Sequence, residues 1–226
     1  GMREARLSVV IPALNAGAKL SASLAALEPA RGLIRDIIVA DGGSSDDTQA
    51  LAERAGARVI AAPRGRGVQL RAGAEAAKGH WLLFLHADTV LEPGWERDVA
   101  RVMEAGENKA AFFRFALDDA APAARRLEAI VAWRVRLLAL PYGDQGLLIS
   151  RALYDAIGGY APLPLMEDVD IVRRLGARRL VALNARAITS AARYRKGYWR
   201  RSLRNAGILT LYFLGVPPAR LARLYG

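Results

Sequence analysis

Two acidic residues of this sequence stand just behind short apolar segments, where a carboxylate is well placed to do chemistry. Asp41 follows segment 36–40, and Asp88 lies three residues after segment 81–85. In open α/β sheets the ligand lies beyond the carboxyl ends of the strands. Alternate residues past a strand end project to one side, so His86 and Asp88 could hold one divalent ion. Such nitrogen and oxygen donors suit Mn²⁺, although a buried histidine bonded to backbone carbonyls fits the same pattern.

A glycine pair and two serines follow Asp41. Gly42 and Gly43 allow the backbone to approach a ligand closely, and a helix that opens at Ser44 would present N–H donors and a positive dipole. The Asp41 carboxylate could then accept a hydrogen bond from a nucleobase N–H or a ribose hydroxyl. A simple turn with a capped helix explains these residues equally well.

A third acidic cluster contains Glu167, Asp168 and Asp170. A carboxylate within reach of an acceptor hydroxyl can act as a general base, whereas acids in the first turn of a helix also simply complement its dipole. Asp144 and Gln145 stand in a glycine-flanked loop. They could bind hydroxyl groups or form an ordinary turn.

In the first half of the chain, the elements that must position these residues are predicted strands and helices in alternation. Apolar runs at 7–11, 36–40, 58–61 and 81–85 predict strands, with helices between them at about 18–27, 44–56 and 68–78. Ser44 and Asp47 form a candidate capping box at the start of the second helix. Gly56 is the residue expected to end this helix. Further on, the sequence predicts strands at 110–117 and 146–150 and helices at 122–140, 151–157, 167–175 and 198–214. This order predicts an α/β fold with a mostly parallel sheet and helices on both faces.

The bulk composition is that of one globular domain over residues 2–226. The chain is 53% hydrophobic and 24% charged, and it contains no cysteine, so disulfides and thiolate metal sites are excluded. Neither a signal peptide nor an apolar run of about 20 residues is present. These features predict a cytoplasmic protein.

The charge is concentrated near the end of the chain. The net charge is +11, yet 13 Lys and Arg and no acids follow Asp170. We therefore predict a basic amphipathic helical region over residues 198–226. It could cover the core or form a homodimer, which we favour, or lie peripherally on an anionic membrane beside a lipid-linked acceptor.

Taken in order, these motifs resemble family 2 glycosyltransferases of the GT-A fold. The matching segments are 9–15 (VVIPALN), 39–48 (VADGGSSDDT), 83–89 (LFLHADT), 143–146 (GDQG) and 167–168 (ED). Within the family, residues 65–74 together with His-Ala-Asp resemble the subgroup called radical-SAM/selenodomain-associated transferase 2.

The resemblance implies an inverting transfer of sugar from a nucleoside-diphosphate donor, usually a UDP-sugar, to an acceptor hydroxyl. Asp168 would be the catalytic base, and Asp88 with His86 would bind Mn²⁺ or Mg²⁺. The acceptor or donor sugar would lie near Glu167, Asp144 and Gln145. The nucleotide would contact Pro12, Leu14, Asn15, Asp41, Gly43 and Arg71, and the basic candidates for the diphosphate include Arg66, Arg193 and Lys196.

His86 stands where the family usually has aspartate, which removes one negative charge from the predicted metal site.

Three other functions compete with the resemblance. A nucleotidyltransferase would also use metal-bound carboxylates, but it would release pyrophosphate. An NAD-dependent oxidoreductase is disfavoured because no Gly-x-Gly-x-x-Gly follows the first strand. A non-enzymatic phosphate- or membrane-binding protein fits the basic charge, whereas nucleic acid is disfavoured because few aromatic residues alternate with the basic ones.

Overall fold

The computed structural model of the chain describes residues 6–138, 141, 143–190 and 198–225. Two predicted diphosphate ligands, Arg193 and Lys196, lie outside the described residues. The first half contains β1 (Leu7–Ala13), α1 (Gly17–Ala25), β2 (Ile34–Asp41), α2 (Thr48–Arg54), β3 (Arg58–Ala61), α3 (Arg66–Ala76) and β4 (Trp81–Phe84). The second half contains β5 (Thr89–Leu91), α4 (Trp95–Ala105), β6 (Ala110–Leu117), α5 (Pro122–Leu138), β7 (Leu147–Ser150), α6 (Arg151–Ala156), α7 (Glu167–Leu175), β8 (Leu180–Thr189), α8 (Tyr198–Phe213) and α9 (Pro218–Tyr225).

The strands form one sheet in the order β3-β2-β1-β4-β7-β6-β8-β5. β1 to β4 run parallel as neighbours in this sheet, and β6 and β8 are also parallel. β7 is antiparallel to β4 and β6, and β5 is antiparallel to β8. The predicted mostly parallel sheet is therefore confirmed, with two reversed strands in its second half.

Helices cover both faces because apolar residues on both sides of the strands are buried. Val9 of β1 packs in the core layer that contains Leu24 of α1 and Trp95 of α4. The next residue, Val10, packs in the opposite layer with Leu70 of α3. A strand projects successive side chains to opposite faces, and the near-continuous apolar sequence of β1 is what a strand covered on both sides requires.

The helix α2 begins later than predicted. It starts at Thr48 and not at Ser44, because the Ser44 hydroxyl donates to the carboxylate of Asp41. Asp46 instead accepts a hydrogen bond from the Thr48 backbone N–H at 3.0 Å, and the Asp47 side chain makes no cap bond. Gly56 follows the helix with φ +85°, as expected for a stop.

Part of the apolar surface of the C-terminal helices covers the core, one of the two packings favoured above, while Phe213, Leu214 and Leu224 stay exposed. Ile208 of α8 and Leu221 of α9 are buried in the layer that contains Val172 and Leu175 of α7. Among the described residues, no helix combines the length and the apolar character needed to cross a membrane.

Candidate active site

A cleft of about 430 Å³ opens at the carboxyl ends of β1 and β4. The turn after β1 forms one wall with Pro12, Leu14 and Asn15, and the turn after β4 contributes His86 and Asp88. The remaining lining comes from the end of β1, the start of α1, the turn after β4, and the beginnings of α3 and α7 with the residues just before them. It consists of Ala13, Ala16, Lys19, Arg64, Gly65, Arg66, Gln69, Ala87, Pro164, Leu165 and Glu167.

The first wall is held by Asn15, which has a left-handed φ of +48°. Its Oδ1 atom accepts a hydrogen bond from the Ser45 backbone N–H at 2.8 Å, and its own N–H donates to the Ser44 hydroxyl at 2.9 Å. Thr48 extends the clamp, because its hydroxyl accepts from the N–H groups of Ala16 and Gly17. The loops after β1 and β2 are therefore fixed to each other.

The Asp41 carboxylate is 1% exposed and does not line the cleft. Its Oδ2 atom accepts from the N–H groups of Gly43 (3.0 Å) and Ser44 (2.9 Å) and from the amide of Gln49 (2.9 Å). Burial opposes ionisation of this group, but the hydrogen bonds outweigh it and hold the pKa of Asp41 below its ordinary value. In this structure Asp41 organises the loop that bears Gly43 and clamps Asn15.

Gln69 of α3 is a buried residue of the cleft that was not predicted. Its amide nitrogen donates to the carbonyls of Ala13 (3.0 Å) and Ala40 (2.9 Å), and its oxygen accepts from the Gly65 N–H at 3.1 Å. It thus ties the end of β1, the end of β2 and the start of α3 together. A polar residue four positions before the buried Gly73, and so on the same face of the helix, is the sequence signal that would have identified it.

His86, Gly143 and Asp168 line a small pocket beside the cleft, and the two share His86 and Glu167 in their walls. A Cβ atom on Gly143 would lie 2.6 Å from Nε2 of His86 and 3.5 Å from Oδ2 of Asp168. The Gly143 N–H donates to that same Oδ2 at 2.9 Å, and the Val169 N–H donates to Oδ1 at 2.8 Å. The turn that carries His86 is closed by a bond from the Thr89 N–H to the His86 carbonyl. Three segments far apart in sequence therefore place a histidine beside a fixed carboxylate.

Glu167 precedes Asp168 and is 4% exposed. Burial, and next the negative charge of Asp168, raise its pKa from 4.5 to about 7, while the Arg66 guanidinium lowers it in part. Glu167 lines the cleft, so this carboxyl group changes charge near neutral pH at the binding surface.

The other predicted residues are spread around the cleft. Asp144 and Gln145 lie on a 3-10 turn, Gly143–Gln145, where the Gln145 amide donates to the Phe113 carbonyl at 3.2 Å. Arg71 does not line the cleft, since it donates to the Tyr160 carbonyl at 3.0 Å and pairs with Glu75. Arg66, also predicted, does line it.

No group of three His, Cys, Asp or Glu side chains that could hold a metal ion is present in the described part of the chain. His86 and Asp88 are the two donors that the turn after β4 brings to the cleft. Mg²⁺ and Mn²⁺ commonly combine one or two protein ligands with phosphate oxygens and water. The donor set therefore fits an ion that arrives with a diphosphate, but not a complete protein cage.

A mostly parallel sheet with a cleft at its strand ends, and with a histidine and acids on the rim of that cleft, fits a nucleotide-sugar transferase. The sequence profile of glycosyl transferase family 2 matches residues 8–163. The chain belongs to this family.

The chain is similar to glucosyl-3-phosphoglycerate synthase of Mycobacterium tuberculosis, with 33% identity over 94 residues. The matched segment is 37% of this chain and 29% of the relative, so it spans less than a third of that protein. The enzyme of Mycolicibacterium paratuberculosis is 32% identical over 94 residues, with the same coverage.

Solved structures agree over more of the chain. Glucosyl-3-phosphoglycerate synthase of M. tuberculosis in complex with Mn²⁺, UDP and glucosyl-3-phosphoglycerate superposes with a TM-score of 0.58 and 25% identity. That alignment covers 80% of this chain and 70% of the other. A complex of the same synthase with Mg²⁺ and UDP gives the same TM-score and identity, over 80% and 69% of the two chains. These neighbours confirm the predicted GT-A fold.

Proposed function

We propose that this protein transfers a sugar from a UDP-sugar to an acceptor hydroxyl with inversion at the anomeric carbon. The hydroxyl oxygen would form a bond to that carbon as the bond to the diphosphate breaks. The proton of the hydroxyl would pass to Asp168, and UDP would leave with the bonding electrons. Residues 2–226 would act as one catalytic domain.

The observation that carries this proposal is the fixed carboxylate of Asp168. Backbone N–H groups of Gly143 and Val169 hold its two oxygens, and His86 of the cleft wall lies against the same side of Gly143 as this carboxylate. A base must be held in place within hydrogen-bond reach of the proton that it takes. The pocket beside the cleft, which contains Asp168, meets the first of these requirements.

The donor would bind along the wall of Pro12, Leu14 and Asn15. Lys19, Arg64 and Arg66 also line this cleft, and guanidinium groups suit phosphate oxygens. Complexes of the similar synthase contain UDP, which supports a uridine nucleotide here.

His86 and Asp88 would hold the metal ion. When bound, Mn²⁺ or Mg²⁺ neutralises charge that develops on the departing diphosphate. The similar synthase has been solved with either ion. The basic residues Arg64 and Arg66 would share this task, since histidine leaves the site one negative charge short of the usual family pattern.

The acceptor of the similar synthase is implied by its product, glucosyl-3-phosphoglycerate. For this chain we infer a hydroxyl acceptor that approaches past Asp144 and Gln145. A cytoplasmic location, association with an anionic membrane and formation of a homodimer stay predictions.

The decisive experiment combines binding with turnover. Thermal shift with UDP and Mn²⁺ should reveal nucleotide binding, and a panel of UDP-sugars should yield UDP when a suitable acceptor is present. Asp168→Asn should lower turnover by roughly 10²–10⁴-fold, the usual contribution of a general base, with UDP binding retained. Asp155→Asn, on an exposed position of α6, is the matched control.

Two results would overturn the proposal. Release of pyrophosphate in place of UDP would identify a nucleotidyltransferase. Full turnover by Asp168→Asn would remove the base from the mechanism.

A further inference from the structure

A second cavity, of about 610 Å³, lies between α5 and the strands β6 and β8. Its floor is apolar and includes Phe112, Phe115 and Val135. Four arginines line it, namely Arg114, Arg125, Arg136 and Arg186, against one acid, Glu128. A cavity with this lining suits an anionic ligand that also has an apolar part.

Two of the arginines already have partners. Arg125 pairs with Glu128 at 2.7 Å, and Arg186 pairs with Glu92 at 3.2 Å. Within the described part of the chain, Arg114 and Arg136 form no salt bridge. Both residues are exposed. Arg114 lies close enough to Glu92 for its charge to contribute to the lowered pKa of that carboxyl group.

The position of Arg114 adds a second argument. Arg114 on β6 and Arg186 on β8 are partners in the register of the two parallel strands. Like charges directly opposite each other in a sheet are unfavourable, and Glu92 provides one carboxylate for the pair. A bound anion would relieve the remaining repulsion.

This cavity adjoins the candidate catalytic base through a single turn. Gln145 lines the cavity, and its side-chain oxygen accepts from Arg134 of α5 at 3.4 Å. The same turn begins at Gly143, whose N–H donates to Asp168. A 3-10 helix rises about 2 Å per residue, so the turn spans only about 6 Å. The second cavity and the candidate base are therefore connected by one short turn of the chain.

We propose that this cavity binds the acidic group of the acceptor, a phosphate or carboxylate, with Arg114 and Arg136 as its ligands. The inference rests on the proposed glycosyl transfer and adds the acceptor's chemical class. The anion has two plausible sources in such a cavity: a small soluble phosphorylated compound, or a lipid phosphate whose chain lies on the apolar floor.

Binding can be measured without turnover. Titrations of the full chain would use phosphoglyceric acid as the soluble probe and geranyl phosphate as the lipid-like probe, with glycerol as the uncharged control. We expect one of the two anions to bind and glycerol not to bind. Arg114→Gln/Arg136→Gln should weaken that binding at least tenfold, because charge-assisted bonds to both groups are lost. Arg126→Gln, an exposed arginine of α5 outside the cavity, should leave it within about twofold.

UDP binding is measured on the same proteins, because it distinguishes failure of this inference from failure of the proposed function. The inference is overturned if neither anion binds, or if the double variant binds it as tightly as the wild type, while UDP still binds. If the wild-type protein does not bind UDP, the result would instead count against the proposed function itself. Preference for geranyl phosphate over phosphoglyceric acid would identify a lipid source, and the reverse a soluble one.

Discussion

Glu167 and Asp168 are neighbours in sequence but occupy different surroundings. Asp168 accepts hydrogen bonds from two backbone N–H groups. Glu167 is buried beside that carboxylate, and its pKa is raised to about 7 by burial first and by Asp168 second. The two carboxyl groups are therefore suited to different tasks, although the sequence presents them as an undifferentiated acidic pair.

Glu167→Gln should stabilise the protein at about pH 8 but not at about pH 5. The pKa of Glu167 is raised from 4.5 to about 7 in the folded protein, so folding binds a proton between these pH values. Its contribution to the free energy of unfolding therefore becomes less favourable as the pH rises through this window and stays so above it. The variant removes this penalty, which is on the order of 3 kcal/mol for such a shift.

Urea denaturation at both pH values measures the effect. Glu75→Gln, at a side chain that is 71% exposed, serves as the control. An equal change in stability at both pH values would show that Glu167 does not titrate in this window.

Asp41→Ala should destabilise the protein by about 2–4 kcal/mol, because it leaves several buried donors of its loop without an acceptor. Asp47→Ala is the control, since Asp47 is exposed and its side chain makes no cap bond. Chemical denaturation and UDP titration should be compared for both variants. Lost UDP binding with unchanged stability would instead indicate direct contact between Asp41 and the nucleotide.

At the scale of elements, the turn Gly143–Gln145 joins the histidine, the candidate base and the second cavity. Its first residue must be small because the imidazole of His86 leaves no room for a Cβ atom. Backbone conformation does not impose glycine here, since Gly143 is not among the described residues with a positive φ. The constraint is therefore steric and lies within the candidate site.

Gly143→Ala should lower turnover at least tenfold while reducing stability by only about 1–3 kcal/mol, the usual cost of overpacking. The new methyl group would lie 2.6 Å from Nε2 of His86, so the imidazole must move. Gly32→Ala, where a Cβ atom would meet nothing within 4 Å, is the matched control. Steady-state assays in which both variants are equally active would refute the steric role.

The elements were predicted well where the signal is local. Residues 7–11 and 36–40 are apolar runs covered on both faces, and each lies within an observed strand. The prediction lacks α4, β5 and β8. Trp95, Val99 and Met103 carry a helical spacing that would have identified α4, whereas β5 has only three residues and β8 is half exposed, which weakens its apolar pattern.

The candidate site was predicted only in part, for the same physical reason. Asp88 and His86 follow from their place after a strand. The contact of Gly143 with His86 joins residues 57 positions apart, and no local pattern reports it. Arg71 has a basic side chain at a plausible spacing, yet the helix turns it toward Tyr160.

Across the whole molecule, the excess positive charge and the residues that line the candidate cleft lie in different parts of the sequence. Residues 1–170 carry 20 basic and 22 acidic groups, a net of −2, and the remainder carries +13. The wall predicted to hold the nucleotide comes from the first part, where Lys19, Arg64 and Arg66 stand out at the cleft. Among the described residues, attraction for an anionic donor would therefore come from these three cations.

The reversed strand β7 has a consequence for how the protein is made. It lies between β4 and β6 in the sheet, so the edge of β4 that it covers has no partner until residues 147–150 have left the ribosome. β4 ends at Phe84, and its four residues are fully apolar and buried. For more than 60 residues of synthesis, the nascent chain thus exposes an edge of the kind that promotes aggregation. The strand that directly follows the turn Gly143–Gln145 of the candidate site is also the one that ends this vulnerable period.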